Sequence, residues 1–313
     1  MLEYKNYLPS KLIFKNNIPQ IKWIFLNNVF FNHSFFSETI AACTTLNSFQ
    51  NIAFKKESDL ETINLVVNAI ESIQPNCFIF HTSRCGSTLL SQILSTNSEN
   101  IVYPEYEVLD DFIRLNQKMP IRAENHEKLI KNLVRIMGQK RIDGQKRLFI
   151  KLDSWHIFFA KFLRITFPKI PFIFLYRHPE AIIQSNKKQK GIQFIPEIID
   201  PKIYGLEEKA HTLNFEIDYP NAVLEKMYLE IIDFAKNDHF THLMDYDNGM
   251  ENNLKKFVSF LKDENIVDKK EAKKRMSFHS KKPNTVFSEE QNIEDNLSNS
   301  KSLLAYNKLK ELD

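Results

Sequence analysis

Four short, mainly apolar runs, at residues 78–80, 101–105, 148–152 and 171–176, and a candidate last strand at 241–246 alternate through the middle of the chain with segments of helical periodicity. A run without a polar face suits a strand buried on both sides, and strands that alternate with helices are joined by right-handed crossovers into a parallel sheet. The pattern predicts an α/β protein of three layers, α/β/α, with a central parallel sheet. The run at 171–176 is strongly apolar and is expected at the sheet centre. Helices are expected over 59–73, with Asp59 as N-cap and Pro75 closing the segment, and over 108–115 and 124–139. Further helices are expected over 155–167, stopped by Pro168, from Pro179 onward, over 203–237 with an interruption near Tyr219 and Pro220, over 254–261, over the charge-rich 263–275 as a solvated helix, and after Lys301. Residues 1–60 carry no clear long helix. Their aromatic runs near Phe14, Trp23 and Phe30 suggest extended segments packed on the main domain. The chain thus divides into an N-terminal extension over 1–74, an α/β domain over 75–285 and a tail over 286–313.

Composition narrows the function classes. The 313 residues are 43% hydrophobic and 26% charged, an ordinary globular balance. The net charge of +3 is too small for a nucleic-acid surface, although it permits a local basic pocket. Cys43, Cys77 and Cys85 form an odd, sparse set without metal-ligand spacing, which argues against a disulfide scaffold and against zinc. No apolar run reaches the roughly 18 residues of a membrane span. The N-terminus lacks the basic, apolar and small-residue order of a signal peptide. These features predict a cytoplasmic protein without a membrane span, and leave the oligomeric state open.

The stretch 77–94, CFIFHTSRCGSTLLSQIL, concentrates the chemistry. A short strand runs into a loop of small residues, and apolar residues at 89, 90, 93 and 94 then mark one face of a helix. The first N–H groups of a helix lack internal partners and carry partial positive charge, so such a junction suits an anion. Gly86 allows close approach of the backbone, Ser87 and Thr88 offer hydroxyls, and Arg84 offers a cationic fork for phosphate or sulfate oxygens. Cys85 reads as a small space-filler. The loop departs from G-x-x-x-x-G-K-[ST], because it has no first Gly and no Lys between the Gly and the hydroxyl.

Ligands of open α/β sheets bind beyond the carboxyl ends of the strands. After the fourth apolar run comes Arg177-His178-Pro179, with Ser185 about two helical turns further on. Arg177 and Ser185 can grip one phosphate from a strand end and a helix face, or pair with a nearby carboxylate and solvent.

Residues 83–90 resemble the 5′-phosphosulfate loop of sulfotransferases that use 3′-phosphoadenylyl sulfate (PAPS). Arg177, Pro179 and Ser185 resemble that family's 3′-phosphate motif, in the family's order. The resemblance covers about 77–262 and takes in Phe167-Pro168 and Asp245-Tyr246-Asp247, the latter similar to a Tyr-Glu-Asp element. It implies a P-loop-NTPase-like sulfotransferase fold and in-line sulfuryl transfer from PAPS to a hydroxyl or amine, with no metal expected. It implies that Ser83, Arg84, Cys85, Gly86, Ser87, Thr88 and Leu89 hold the 5′-phosphosulfate, that Arg177 and Ser185 hold the 3′-phosphate, and that Arg84 is the cation on the leaving oxygen. One branch has Lys-x-His after the third strand, where this chain has Lys151-Leu152-Asp153, with His156 one turn later. Other branches use a Glu after the second strand, where Glu105 stands. The base candidates are therefore Glu105, then Asp153, then His156, with Lys151 orienting the sulfuryl group or acceptor. The acceptor, whether small molecule, glycan or peptide, is expected to be chosen by residues 1–60 and 190–235. The basic run 279–283 stands where the family closes its site, without the glycine-rich form of that loop. A P-loop-type small-molecule kinase and a non-catalytic nucleotide-binding protein are the competing readings.

Overall fold

The computed structural model describes residues 4–279, 282–286 and 300–313. Strands β1 (Tyr7–Lys15) and β2 (Ile18–Phe25) pair antiparallel, from Tyr7 opposite Phe25 to Lys15 opposite Ile18. Asn16 and Asn17 close the hairpin with φ of 52° and 62°, and asparagine tolerates the left-handed backbone that a two-residue I′ turn demands. The short β3 (Lys56–Ser58) adds to β2. Extended structure was expected here, and the hairpin agrees. The same region also holds an eleven-residue helix, α1 (Phe36–Leu46), whose buried face is only Phe36, Thr39 and Cys43. So thin an apolar stripe gives little helical periodicity to read.

Helix α2 (Glu61–Val66) is shorter than expected. Asp59 does hold its first turn, accepting from the Thr62 N–H at 3.0 Å. The helix stops early among weak helix formers, and Ser72 then bridges Gln139.

Five strands make the main sheet: β4 (Pro75–His81), β5 (Asn100–Pro104), β6 (Arg147–Lys151), β7 (Phe172–Tyr176) and β8 (Thr241–Asp245). Their order is β5-β6-β4-β7-β8, and all neighbours are parallel. The central strand is β4, and β7 lies beside it. Helices cover both faces, so strands one step from the centre are as dry as the central one, and apolar content does not separate them.

Alternate residues of β4 enter two separate cores. Cys77 and Ile79 pack with α3 (Ser87–Ser95), α10 (Met250–Leu261) and α11 (Lys269–Met276). Phe78 and Phe80 pack with α4 (Glu107–Ile113), α6 (Ala123–Met137), α7 (Ala160–Thr166), α9 (Asp218–Lys236) and α12 (Lys301–Lys310). The short α5 (Leu115–Lys118) follows α4, and α8 (Pro179–Lys188) follows β7. Tyr219 and Pro220 do not interrupt a helix. They begin α9, where the missing proline N–H costs nothing. A backbone ribbon, β9 (Phe278–His279) with β10 (Lys282–Val286), carries part of the basic run, whose Ser280 and Lys281 lie outside the described residues. Among the described residues no helix is long and apolar enough to cross a membrane.

Candidate functional site

The loop between β4 and α3 is built on left-handed backbone. Ser83, Arg84 and Gly86 have φ of 73°, 51° and 77°. Two of these carry side chains, so the loop holds strain that surrounding contacts must fix. Such turns direct successive N–H groups into one concavity. No side chain caps α3, which leaves its first-turn amides facing that concavity. The Ser83 hydroxyl accepts from Gln193 Nε2 at 2.7 Å. Cys85 is buried, lies 3.4 Å from the Leu175 carbonyl through its sulfur, and has its thiol pushed up to about 11 by burial. A Cβ on Gly86 would lie 2.6 Å from the Tyr246 ring and 2.7 Å from Met250 Cε, so Tyr246 closes over this position.

A cavity of about 430 Å³ opens at the carboxyl ends of the strands. It is lined by Ser83, Arg84, Cys85, Gly86, Ser87, Thr88 and Leu89 from the loop and α3, and by Glu105, Asp153, and Arg177 with Ser185, from the segments that follow β5, β6 and β7. Most of the residues singled out from sequence therefore meet in one place. The Arg84 guanidinium donates to the Gln189 carbonyl just beyond α8. Arg177 donates to the Arg84 carbonyl at 3.1 Å, and its guanidinium lies 4.7 Å from the centre of the Tyr246 ring. Its Nε is buried without a hydrogen-bond partner, 3.8 Å from Asp247 Oδ1.

Lys151 and His156 are not on the wall. Lys151 is buried beneath it, with Nζ bonded to Glu105 and 3.5 Å from Thr88 Oγ1. His156 is 1% exposed and both ring nitrogens are engaged: Nδ1 accepts from the Asp153 N–H at 3.1 Å, and Nε2 faces Asp110 Oδ1 at 2.8 Å. It secures the turn Ser154–Phe159 and offers no free nitrogen to the cavity. Asp110, Asp153 and His156 do bring ligand atoms within 4.8 Å of one another. Arg114 and Trp155 already donate to the Asp110 carboxylate, at 2.9 Å and 2.7 Å.

The two cavity carboxyls are pushed in opposite directions. Glu105 sits at the end of β5 with φ of 56°, between Lys151 and His81. Burial alone would raise its pKa, but the Lys151 ammonium and the His81 contact outweigh burial and hold it well below the usual carboxylate range. Asp153 has no such cation in contact. Burial, with the charges of Glu105 and Asp110, pushes it well above that range. Carboxyls separated in this way can serve as an ionised acceptor and a neutral donor.

Sequence reasoning missed His81. It ends β4, lines the cavity and puts Nε2 3.2 Å from Glu105 Oε1. Its Nδ1 accepts from the Ser83 N–H at 3.1 Å, so the neutral ring carries its proton on Nε2, toward Glu105. Burial lowers its pKa, which favours that neutral form. Gln193 and the exposed Lys190 were missed as well. They lie beyond the periodic part of α8, in a segment with no motif. The position of His81 at a strand end beside the loop was the one available signal.

Residues 75–193 match the sulfotransferase family. Among solved structures, a sulfotransferase from Alicyclobacillus acidocaldarius is 14% identical, over 77% of this chain and 96% of its own, with a TM-score of 0.44. The sulfotransferase domain of the curacin biosynthetic pathway is 17% identical, over 77% and 99%, with a TM-score of 0.44. The sulfotransferase domain of the Synechococcus PCC 7002 olefin synthase is 16% identical, over 77% and 88%, with a TM-score of 0.39. No curated protein matches the chain.

Proposed function

We propose that this chain, whose residues 75–193 match the sulfotransferase family, moves a sulfuryl group from PAPS to a hydroxyl or amine acceptor. The observation that carries this reading is the pair of arginines on one cavity wall. Arg84 stands in a strained loop at a helix N-terminus, and Arg177 keeps a buried Nε without a hydrogen-bond partner. Two cationic grips on one cavity suit a nucleotide with anionic groups at both 5′ and 3′ positions. Bound there, PAPS supplies the sulfuryl group and a phosphate leaving group.

The remaining work falls to the chain. The loop amides from Ser83 to Leu89, with Ser87, Thr88 and Arg84, bind the 5′ end, and Arg84 offsets the charge that develops on the leaving oxygen. Arg177 and Ser185 hold the 3′-phosphate. Glu105, ionised at neutral pH, accepts the proton of the attacking hydroxyl or amine. Lys151 and His81 fix its carboxylate, and their positive charge and N–H keep it ionised until the proton arrives. The wall beside Glu105 carries Phe35 and Trp155, two aromatic faces for an apolar part of the acceptor.

The test is thermal stabilisation by adenosine 3′,5′-bisphosphate (PAP) and by ATP with magnesium. PAP at 100 times its dissociation constant should add about 2.7 kcal/mol to the wild type and nothing to Arg177→Ala. Stabilisation by ATP alone would replace this reading with a kinase. Under saturating donor, Glu105→Gln should lower kcat by about 10²- to 10⁴-fold, the usual worth of a general base.

A further inference from the structure

Asp247 faces Arg177, and it competes with any phosphate for that guanidinium. Its Oδ1 stops 3.8 Å from Arg177 Nε, short of a hydrogen bond. Its other oxygen explains why. Oδ2 accepts from the His178 N–H at 3.2 Å and lies 3.3 Å from the Tyr306 hydroxyl. That hydroxyl is also 2.7 Å from Asp245 Oδ2, so one proton serves two neighbouring carboxylates. Tyr306 is 3% exposed and comes from α12, a helix distant in sequence that packs on α8 and α9. Its ring is seated against His178, Tyr176 and Tyr228, with centroids 5.2, 5.8 and 6.0 Å apart.

We propose that the Tyr306 hydroxyl holds Asp247 back from Arg177, and so keeps that guanidinium open to the donor's 3′-phosphate. The inference rests on the donor assignment above and adds to it a positioning residue for 3′-phosphate selectivity. Without the hydroxyl, repulsion from Asp245 is no longer bridged, and the freed Asp247 carboxylate can close on Arg177 as an ion pair. The nucleotide would then have to break that pair.

The experiment compares dissociation constants for PAP and for 5′-AMP, which lacks the 3′-phosphate, by titration calorimetry on the full chain. Wild type should prefer PAP. Tyr306→Phe keeps the ring packing and should weaken PAP about tenfold, the scale of one charge-assisted hydrogen bond, with 5′-AMP changed less than about twofold. Asp247→Asn should keep the preference. The Tyr306→Phe, Asp247→Asn double variant should recover it, because the competing carboxylate is gone. Asp247→Glu, which carries the carboxylate further toward Arg177 with Tyr306 intact, should reproduce the loss and decides the matter if Tyr306→Phe does not fold. Equal weakening of both nucleotides, or a double variant without recovery, would overturn the role of Tyr306 and leave the donor assignment standing. A wild type that binds both nucleotides equally would overturn both.

Discussion

At the scale of single residues, the site depends on backbone conformations that side chains resist. Gly86 combines a left-handed φ with an approach to Tyr246 that leaves no room for a methyl group. Gly86→Ala should destabilise the fold by about 2–5 kcal/mol, summing the left-handed penalty and the overpacking, as read from urea unfolding. The carboxyls predict a pH effect of definite sign. Asp153 has a folded-state pKa above its unfolded value, so the stability it contributes is present at low pH and is lost as pH rises toward the folded value. Asp153→Asn should therefore flatten the fall in unfolding free energy as pH rises above the ordinary carboxylate range, and a variant whose slope matches wild type would contradict this environment for Asp153. Glu105 has the opposite sign: its contribution is present above the unfolded value and is lost only on strong acidification.

At the scale of elements, what was legible in the sequence followed from local chemistry. The loop at 83–88 could be read because a Gly, three hydroxyls and an Arg stand between an apolar run and a helical period. The strands at 101–105, 148–152 and 171–176 could be read because burial on both faces leaves them apolar except for Glu105 and Lys151, which pair with each other. Strand order was not legible, since β4 and β7 are both buried on both faces and only pairing distinguishes them. The partners of Glu105 were not legible either: Lys151 and His81 come from β6 and β4, which are neighbours only after the sheet forms. The central position of β4 makes its own prediction. Phe78→Ala should cost about 3–5 kcal/mol, because the cavity opens in the most constrained strand. Phe49→Ala, at a site 69% exposed in the N-terminal region, should stay within about 0.5 kcal/mol.

At the scale of the whole molecule, the N-terminal hairpin and the sheet share one hydrophobic core. Polar contacts stitch the same boundary. The Tyr106 hydroxyl donates to the Pro9 carbonyl, Gln139 accepts from the Asn6 N–H at 2.5 Å, and Arg141 donates to the Asn27 and Val29 carbonyls at 2.9 and 3.0 Å. Scanning calorimetry should accordingly show one cooperative transition that includes the hairpin, and two resolved peaks would mean the hairpin melts independently. The same enclosure covers the thiols. Cys43, Cys77 and Cys85 are all buried, and burial raises the pKa of each, to about 11 for Cys43 and Cys85. For labelling work the folded chain thus behaves as if it had no cysteine: a single Cys introduced at an exposed position such as Phe49 should take a maleimide dye alone, without first replacing a native cysteine.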